Sequence, residues 1–494
     1  MNWKVIWQSF KHRDIQKRII AVFGILIIYR LLAHIPIPFG DPETVKQVLD
    51  NLFESENTQQ FASFLNIVSG GALANLSIMI AGLGPYINAS IIMQLLSRAI
   101  PQLETLRKEG ESGQKKINQY TRLLTFPLAI IQSIGMIYLI KQAAQSVSGV
   151  GDITASASLP QWILMISALT AASMALMWLG EIITEQGIGN GISLLITAGI
   201  VSTLPGTISK IFEGVFDGKS HYEVFGYTLP INARDLLYVG VLTAVVLAMT
   251  IAVVKLNEAQ RRITVNYAKR VQGNRTYGGV TTILPVKLIT AGVIPIIFSV
   301  AFLSVPSFGG QLLSNMDSHT WQNVGQHLST WFQAPTSASL RSGQLEAYIY
   351  PVTYFLLVVL FTFFYTSITF NSKEISENLQ KQGGFLEGVR SGAQTEKYLG
   401  SLVNRLTLFG AISIGILALT PIVGQLFIKA NISLGGTSIL ILVSVALEAL
   451  RALESRALMV TYDQYSSPDY FGDTGQDVDA LGQRTLKQRI LRRK

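Results

Sequence analysis

The chain has 494 residues, of which 49% are hydrophobic and only 14% charged, with a formal net charge of +9. Soluble domains carry about a quarter charged residues, so composition excludes an ordinary water-soluble enzyme and indicates a membrane protein. The absence of cysteine rules out disulfides, thiol catalysis and cysteine metal sites, and the five histidines show no ligand spacing.

The start is basic, with Lys4, Lys11, Arg13, Lys17 and Arg18, and it leads into an apolar stretch without a cleavage pattern. Ten such stretches are predicted, at about 19–36, 77–98, 122–141, 160–183, 191–211, 233–255, 288–307, 347–370, 402–424 and 436–459. A bilayer crossing needs roughly 20 residues. In lipid every backbone amide needs an internal partner, so spans of this length are expected to be helices. The polar segments 37–63 and 308–345 are expected to be exposed loops or short surface helices, and 463–494 a mobile tail.

Ahead of the second span, Phe64 to Leu76 is moderately apolar but too short to cross. Gly70 and Gly71 each weaken a helix there by about 1 kcal/mol. Pattern alone leaves two readings open, an interfacial loop or a re-entrant piece surrounded by protein or water. Gly82, Gly84-Pro85, Gly292, Pro295 and Pro421 interrupt spans and predict kinks. Asn88, Gln94, Gln132 and Asn190 stand within or beside spans, where amides commonly bond helix to helix for about 1 kcal/mol. Arg30 lies deep in the first span, where it snorkels or pairs. Glu181 and Glu185 close the fourth span, and Glu448, Arg451 and Glu454, near the end of the tenth, have the i,i+3 spacing that suits local ion pairs at a helix end. Neither a relay of intramembrane acids nor a nucleotide-binding loop is present.

Basic residues crowd alternate gaps between spans, which hold 29 of the 39 Lys and Arg residues. Translocated segments are poor in both, so the crowded side is cytoplasmic and both termini lie on it. Two large basic loops stand out. In 257–275, Ile263, Val265 and Tyr267 alternate with polar residues and predict a short strand. The second, Asn371 to Ser401, is Gly-rich and polar and carries Arg390. By charge alone these residues set topology. Loops of about 30 residues are more often functional, and an RNA-rich or acidic partner would suit them.

Ten motifs in order carry a resemblance across nearly the whole chain. They are Pro36-Ile-Pro, Ser69-Gly-Gly-Ala-Leu, Gly84-Pro-Tyr-Ile-Asn-Ala-Ser-Ile-Ile, Lys108-Glu-Gly-Glu-Ser-Gly, Gln119-Tyr-Thr-Arg, Gly187-Ile-Gly-Asn-Gly-Ile-Ser, Gln260-Arg-Arg-Ile, Asn266-Tyr-Ala-Lys-Arg, Ala291-Gly-Val-Ile-Pro and Gly435-Gly-Thr-Ser. With these the chain resembles the SecY family, the central channel subunits of the Sec protein translocase. The resemblance implies an all-α integral membrane protein of ten transmembrane helices in two inverted pseudo-symmetric halves, with a re-entrant plug segment. Its parts would be a cytoplasmic N-terminus (1–18), an N-terminal half (19–211), an external connector (212–232), a C-terminal half (233–459) and a cytoplasmic tail (460–494).

Carried over motif by motif, the resemblance implies a pore ring of Leu83, Ile87, Ile196 and Ile294. Thr420 stands where relatives often have an aliphatic residue. The plug would be 64–76, with Phe64, Asn66, Ser69, Gly70, Gly71 and Asn75, the last at a position often basic in relatives. Gln94, Gln132 and Asn190 would be polar residues of a lateral gate between the second and seventh spans. Arg261, Arg262, Lys269, Arg270 and Arg390 would dock the ribosome and the motor ATPase SecA. The Arg390 loop reads Gly388-Val-Arg-Ser-Gly where the family usually has Gly-Ile-Arg-Pro-Gly, and Glu387 replaces a frequent Pro, so a more flexible loop is expected.

The implied function is a passive protein-conducting channel of the bacterial inner membrane. It moves unfolded secretory chains across and releases transmembrane segments into the lipid bilayer. Its expected partners are SecE and SecG, SecA, the ribosome, signal peptides and nascent chains. No catalytic residue, cofactor or metal is expected. A secondary transporter with inverted repeats is the main alternative; it wants convergent charges near the midplane, which spans two, five and seven lack. A membrane enzyme is a further alternative, and no intramembrane catalytic set supports it.

Overall fold

The computed structural model describes residues 13–37, 72, 77–145, 158–215, 222–224, 227–229, 233–267, 270–272, 275–277, 279, 281–290, 292–314, 318–335, 339–340, 343, 345–427 and 436–466. Helices dominate. The first set is α1 (Arg13–Leu32), α2 (Gly84–Ala99), α3 (Pro101–Lys108), α4 (Glu111–Gln145), α5 (Leu159–Gln186) and α6 (Gly191–Val215). The second is α7 (Ala233–Glu258), α8 (Ile294–Ser314), α9 (His319–Phe332), α10 (Ile349–Thr369), α11 (Ser372–Lys381), α12 (Ala393–Phe427) and α13 (Gly436–Ser466). Seven short strands accompany them: β1 (Tyr222–Val224), β2 (Tyr227–Leu229), β3 (Gln260–Tyr267), β4 (Arg270–Gln272), β5 (Arg275–Tyr277), β6 (Thr281–Lys287) and β7 (Gly384–Leu386).

Each predicted apolar stretch coincides with a helix of sixteen residues or more. Among the described residues, five segments are long and apolar enough to cross a membrane: Glu111–Tyr138, Leu159–Gln186, Val239–Glu258, Leu345–Lys381 and Ala393–Gly424. Gly191–Gly206 and Ile294–Ser307 are shorter apolar helices. Large apolar side chains on α1 and α7, among them Ile20, Phe23, Leu237 and Val241, are exposed, as lipid-facing or partner-facing helices require.

Local chemistry sets the helix ends. Ser158 and Gln161 form a capping box at α5, which ends at Gly187 in the left-handed region, φ 72°. Pro85 and Pro101 occupy the first turns of α2 and α3, where a missing N–H costs nothing. The second and seventh predicted spans begin late. Their first described residues, 77–83, 288–290 and 292–293, are not helical, and helix starts only at Gly84 and Ile294. Both breaks contain a glycine at positive φ, Gly82 at 56° and Gly292 at 60°, a conformation helices reject. The 77–83 turns are anchored to the end of α1: Ile78 N donates to Ile35 O (2.9 Å) and Ser77 Oγ to Leu32 O (3.1 Å). Pro421, in contrast, lies within α12, which runs 35 residues from Ala393 to Phe427.

One apolar cluster joins α1, α2, α5, α6, α7, α8, α10, α12 and α13. A smaller one lies between α4, α5 and the turns before α2. The third, made of Ile263, Val265, Val286, Leu379, Leu386, Leu399 and Val403, underlies an antiparallel sheet of order β6-β3-β7. The alternation read at Ile263, Val265 and Tyr267 is thus strand β3, with Ile263 and Val265 buried. The segment read as a Gly-rich loop, 371–401, instead holds α11 and β7, and α12 begins inside it. Asn371 caps α11, its Oδ1 accepting from Glu374 N at 3.3 Å.

Candidate functional site

Leu83 and Ile87 stand at the start of α2, Ile294 at the start of α8 and Ile196 in the second turn of α6. Leu83, Ile87 and Ile196 are at most 4% exposed, and Ile294 packs on the same apolar cluster. The two glycine breaks therefore bring the first turns of α2 and α8 into one buried neighbourhood with α6. Thr420, on α12, is half-buried, and its Oγ1 donates to Ile416 O at 2.9 Å. The Thr420 donor is thus spent on its own helix, and only its oxygen lone pairs are left for other partners.

α2 packs against α4 and α8, and α8 against α10. Gln94 Nε2 donates to Ser90 Oγ on its own helix (3.0 Å), while Gln94 Oε1 is buried without a partner. Gln132 of α4 lies against the start of α2: a methyl group built on Gly84 would sit 2.7 Å from Gln132 Nε2. Asn190 does other work. Its Oδ1 accepts from Ile192 N (3.1 Å) and Ser193 N (3.4 Å), capping α6, and the adjoining Gly189 abuts Ala449 of α13. It therefore sits at the α5–α6 junction.

Arg261 and Arg262 are exposed on β3, opposite Val286 and Pro285. Pro285 belongs on an edge strand because it cannot donate to a ladder. β7 flanks β3 on its other side, pairing Val265 with Leu386. Arg390, also exposed, follows it in a turn where Thr395 Oγ1 donates to Arg390 O (2.9 Å) and Ser376 Oγ to Gly392 O (2.8 Å). Two sequence-distant loops thus form one basic platform over the third apolar cluster. Arg270 lies in β4, paired with β5. Lys269 and the plug positions Phe64, Asn66, Ser69, Gly70, Gly71 and Asn75 lie outside the described residues.

The base of the platform is tied to α13. Arg451 Nη2 donates to Asn257 O (2.7 Å) and Asn257 Nδ2 to Ser444 Oγ (3.1 Å). Partial burial and the neighbouring Arg451 lower the Lys287 pKa from its ordinary value, against the pull of Glu448. Arg451 thus reaches another helix end, where its sequence spacing suggested a local pair. Glu181 likewise pairs between helices, with Arg122 of α4 at 2.7 and 2.9 Å. In sequence Arg122 reads as a topology signal and Arg451 as half of a local pair; the contacts of both depend on neighbours far away in the chain.

Comparison with known proteins bears on this arrangement. The SecY family profile matches residues 77–450. A protein translocase subunit SecY from Corynebacterium glutamicum is 39% identical over 463 residues, covering 93% of this chain and 98% of that protein. The chain belongs to the SecY family. It is therefore a channel subunit for protein translocation, built as a mostly helical membrane protein, and not an enzyme. Solved structures carry the same fold. A SecY whose plug domain is described as stabilising the closed channel matches with TM-score 0.57 at 18% identity, over 88% of this chain and 90% of that one. Sec61 in a canine ribosome-channel complex matches with TM-score 0.54 at 18% identity, over 87% and 90%.

Proposed function

We propose that unfolded polypeptides thread this SecY-family channel through a neck lined by Leu83, Ile87, Ile196 and Ile294, with Thr420 beside them. Apolar segments leave sideways between α2 and α8, with Gln94, Gln132 and Asn190 as the polar residues of that gate. The observation that carries the reading is the pair of breaks at Gly82 and Gly292, which start α2 and α8 in one buried aliphatic cluster. Aliphatic walls offer a hydrated ion no hydrogen bonds, so a narrow neck dewets and holds back salt. They equally give a sliding chain nothing to adhere to.

Residues 64–76 form the plug in this proposal, 19–211 and 233–459 the two halves, and 212–232 their external connector. The basic platform faces the cytoplasm of a bacterium, with both termini on that side of the inner membrane, as the Lys and Arg distribution favours. Arg261, Arg262 and Arg390, joined by Lys269 and Arg270, dock the ribosome or the SecA motor, which supply the energy. The planar guanidinium suits phosphate and carboxylate alike, and a ribosome is seen with the related Sec61. SecE clasps the halves and SecG sits at the periphery.

The test is reconstitution with SecE, SecG, SecA and ATP in sealed vesicles, supplied with an unfolded secretory precursor. Protease-protected precursor is expected inside the vesicles, and an apolar stop segment should be recovered in the lipid. If neither appears while SecA hydrolyses ATP normally, the reading fails.

A further inference from the structure

A helix end leaves carbonyls without intrahelical partners and carries partial negative charge, which a nearby cation complements. At the basic face, three helices receive that cation from a different helix. Arg18 of α1 donates to Gln186 O at the end of α5 (3.0 Å), and Arg451 of α13 to Asn257 O near the end of α7 (2.7 Å). The third is α10, which has no basic residue in its own last turn. Arg98, from the last turn of α2, donates to Ser367 O, and Arg107, from the last turn of α3, to Ile368 O (3.2 Å).

Only the third cap crosses between the proposed halves. Arg18 and Gln186 are both in 19–211 or its basic lead-in, Arg451 and Asn257 both in 233–459. Arg98 and Arg107 instead reach from the α2–α3 corner to α10, which packs directly on α8. They bridge the line where α2 meets α8, at its basic end. The two guanidiniums also crowd each other: burial first, and then Arg98, lower the Arg107 pKa from its ordinary value. Glu104, whose charge acts on Arg98, is already paired with Lys108 at 2.8 Å. Both members of this pair donate to α10 carbonyls. A cavity of about 1330 Å³, lined by Arg98, Arg107, Ser367, Lys373 and Glu377 among others, opens beside the contact and gives the side chains room to swing away.

We propose that Arg98 and Arg107 are positioning residues that latch the α2–α8 line shut by capping α10 across it. The inference rests on the reading of that line as the exit to lipid. Parting α2 from α8 and α10 breaks both charge-assisted hydrogen bonds. The within-half caps of α5 and α7 survive the same movement. Loss of the latch should therefore raise the resting open population about tenfold, a modest figure because the contact is partly solvated.

The chain has no native cysteine, so two labels can be placed cleanly, at Leu95 on α2 and Phe302 on α8, both exposed. Pulsed electron paramagnetic resonance on the complex in lipid nanodiscs then reads their separation without substrate. R98Q/R107Q is expected to raise the long-distance population about tenfold. R98K/R107K, which keeps the charges, should stay near the parent, and R18Q, which removes a within-half cap, should not differ from it. Thr369→Lys gives α10 a cation of its own and should open the line without altering α2 or α3. If a stalled precursor lengthens the distance but neither R98Q/R107Q nor Thr369→Lys does, the latch is refuted and the exit stands. If the precursor leaves the distance unchanged as well, the exit and the latch fall together.

Discussion

At the proposed neck, Leu83, Ile87 and Ile294 owe their positions to a neighbour in sequence. Gly82 turns the chain so that Leu83 precedes α2 and Ile87 lies one turn in; Gly292 does the same for Ile294. Replacing Ile87, Ile196 and Ile294 together by Ser puts three hydroxyls into a buried apolar cluster and should raise ion leak in planar bilayers by at least about tenfold. Thr420→Val should leave the leak within about twofold of the parent, because the hydroxyl it removes already serves Ile416 O. Conductance recordings on the two variants separate ring members from bystanders. Which residues are aliphatic was plain from sequence; that the Thr420 donor is spent on its own helix was not, because its partner is a backbone carbonyl. Asn190 shows the converse: an amide near a span looks like interhelical glue until its Oδ1 is found capping α6.

Helices were legible to the extent that hydropathy sets them. All ten apolar stretches coincide with helices, and β3 matches its alternation. α11 and β7 were overlooked for different reasons. α11 carries its signal, an Asn371 cap and buried Leu379 four residues after Ile375, but amid so much charge that it reads as a loop. β7 has three residues and exists through pairing with β3, more than a hundred positions away, which no local pattern encodes. Close helix crossings are similarly invisible. α8 and α9 approach through Gly310 and Gly325: a methyl group on Gly325 would lie 2.4 Å from Ser314 N and 2.6 Å from Gly310 O. Backbone cannot step aside as a side chain does, so Gly325→Ala should force the helices apart at a cost of about 1–3 kcal/mol. A lowered thermal midpoint, with α9 becoming the earliest site of proteolysis, would register it. Gly84→Ala meets only the flexible end of Gln132 and should be milder in the same assay.

Across the whole molecule, charge is sorted and then used. The sequence revealed the sorting, while the use depends on pairs such as Arg18 with Gln186 O, 168 residues apart. The exposed arginines of β3 are the complement of those caps, held out from the surface by their own apolar cluster. Reversing Arg261 and Arg262 to Glu should weaken ribosome or SecA binding about tenfold or more at low ionic strength, with the gap narrowing as salt rises, because exposed charges are screened. Titration of vesicles bearing the variant against either partner reads this directly. The sheet should stay intact, since neither side chain is buried.

Among the described residues, α12 is the one helix that contributes to both clusters. Leu399 and Val403 near its start lie in the cluster beneath the platform, while Ile414 and Ala418 lie in the main cluster and Thr420 follows one turn before the end of that contact. Its 35 residues span roughly 50 Å, with Pro421 within the last two turns. In the function proposed above, a cargo-bearing machine that grips the arginine sheet would hold one end of a lever whose far arm borders the aperture, and docking would reach the opening as torque.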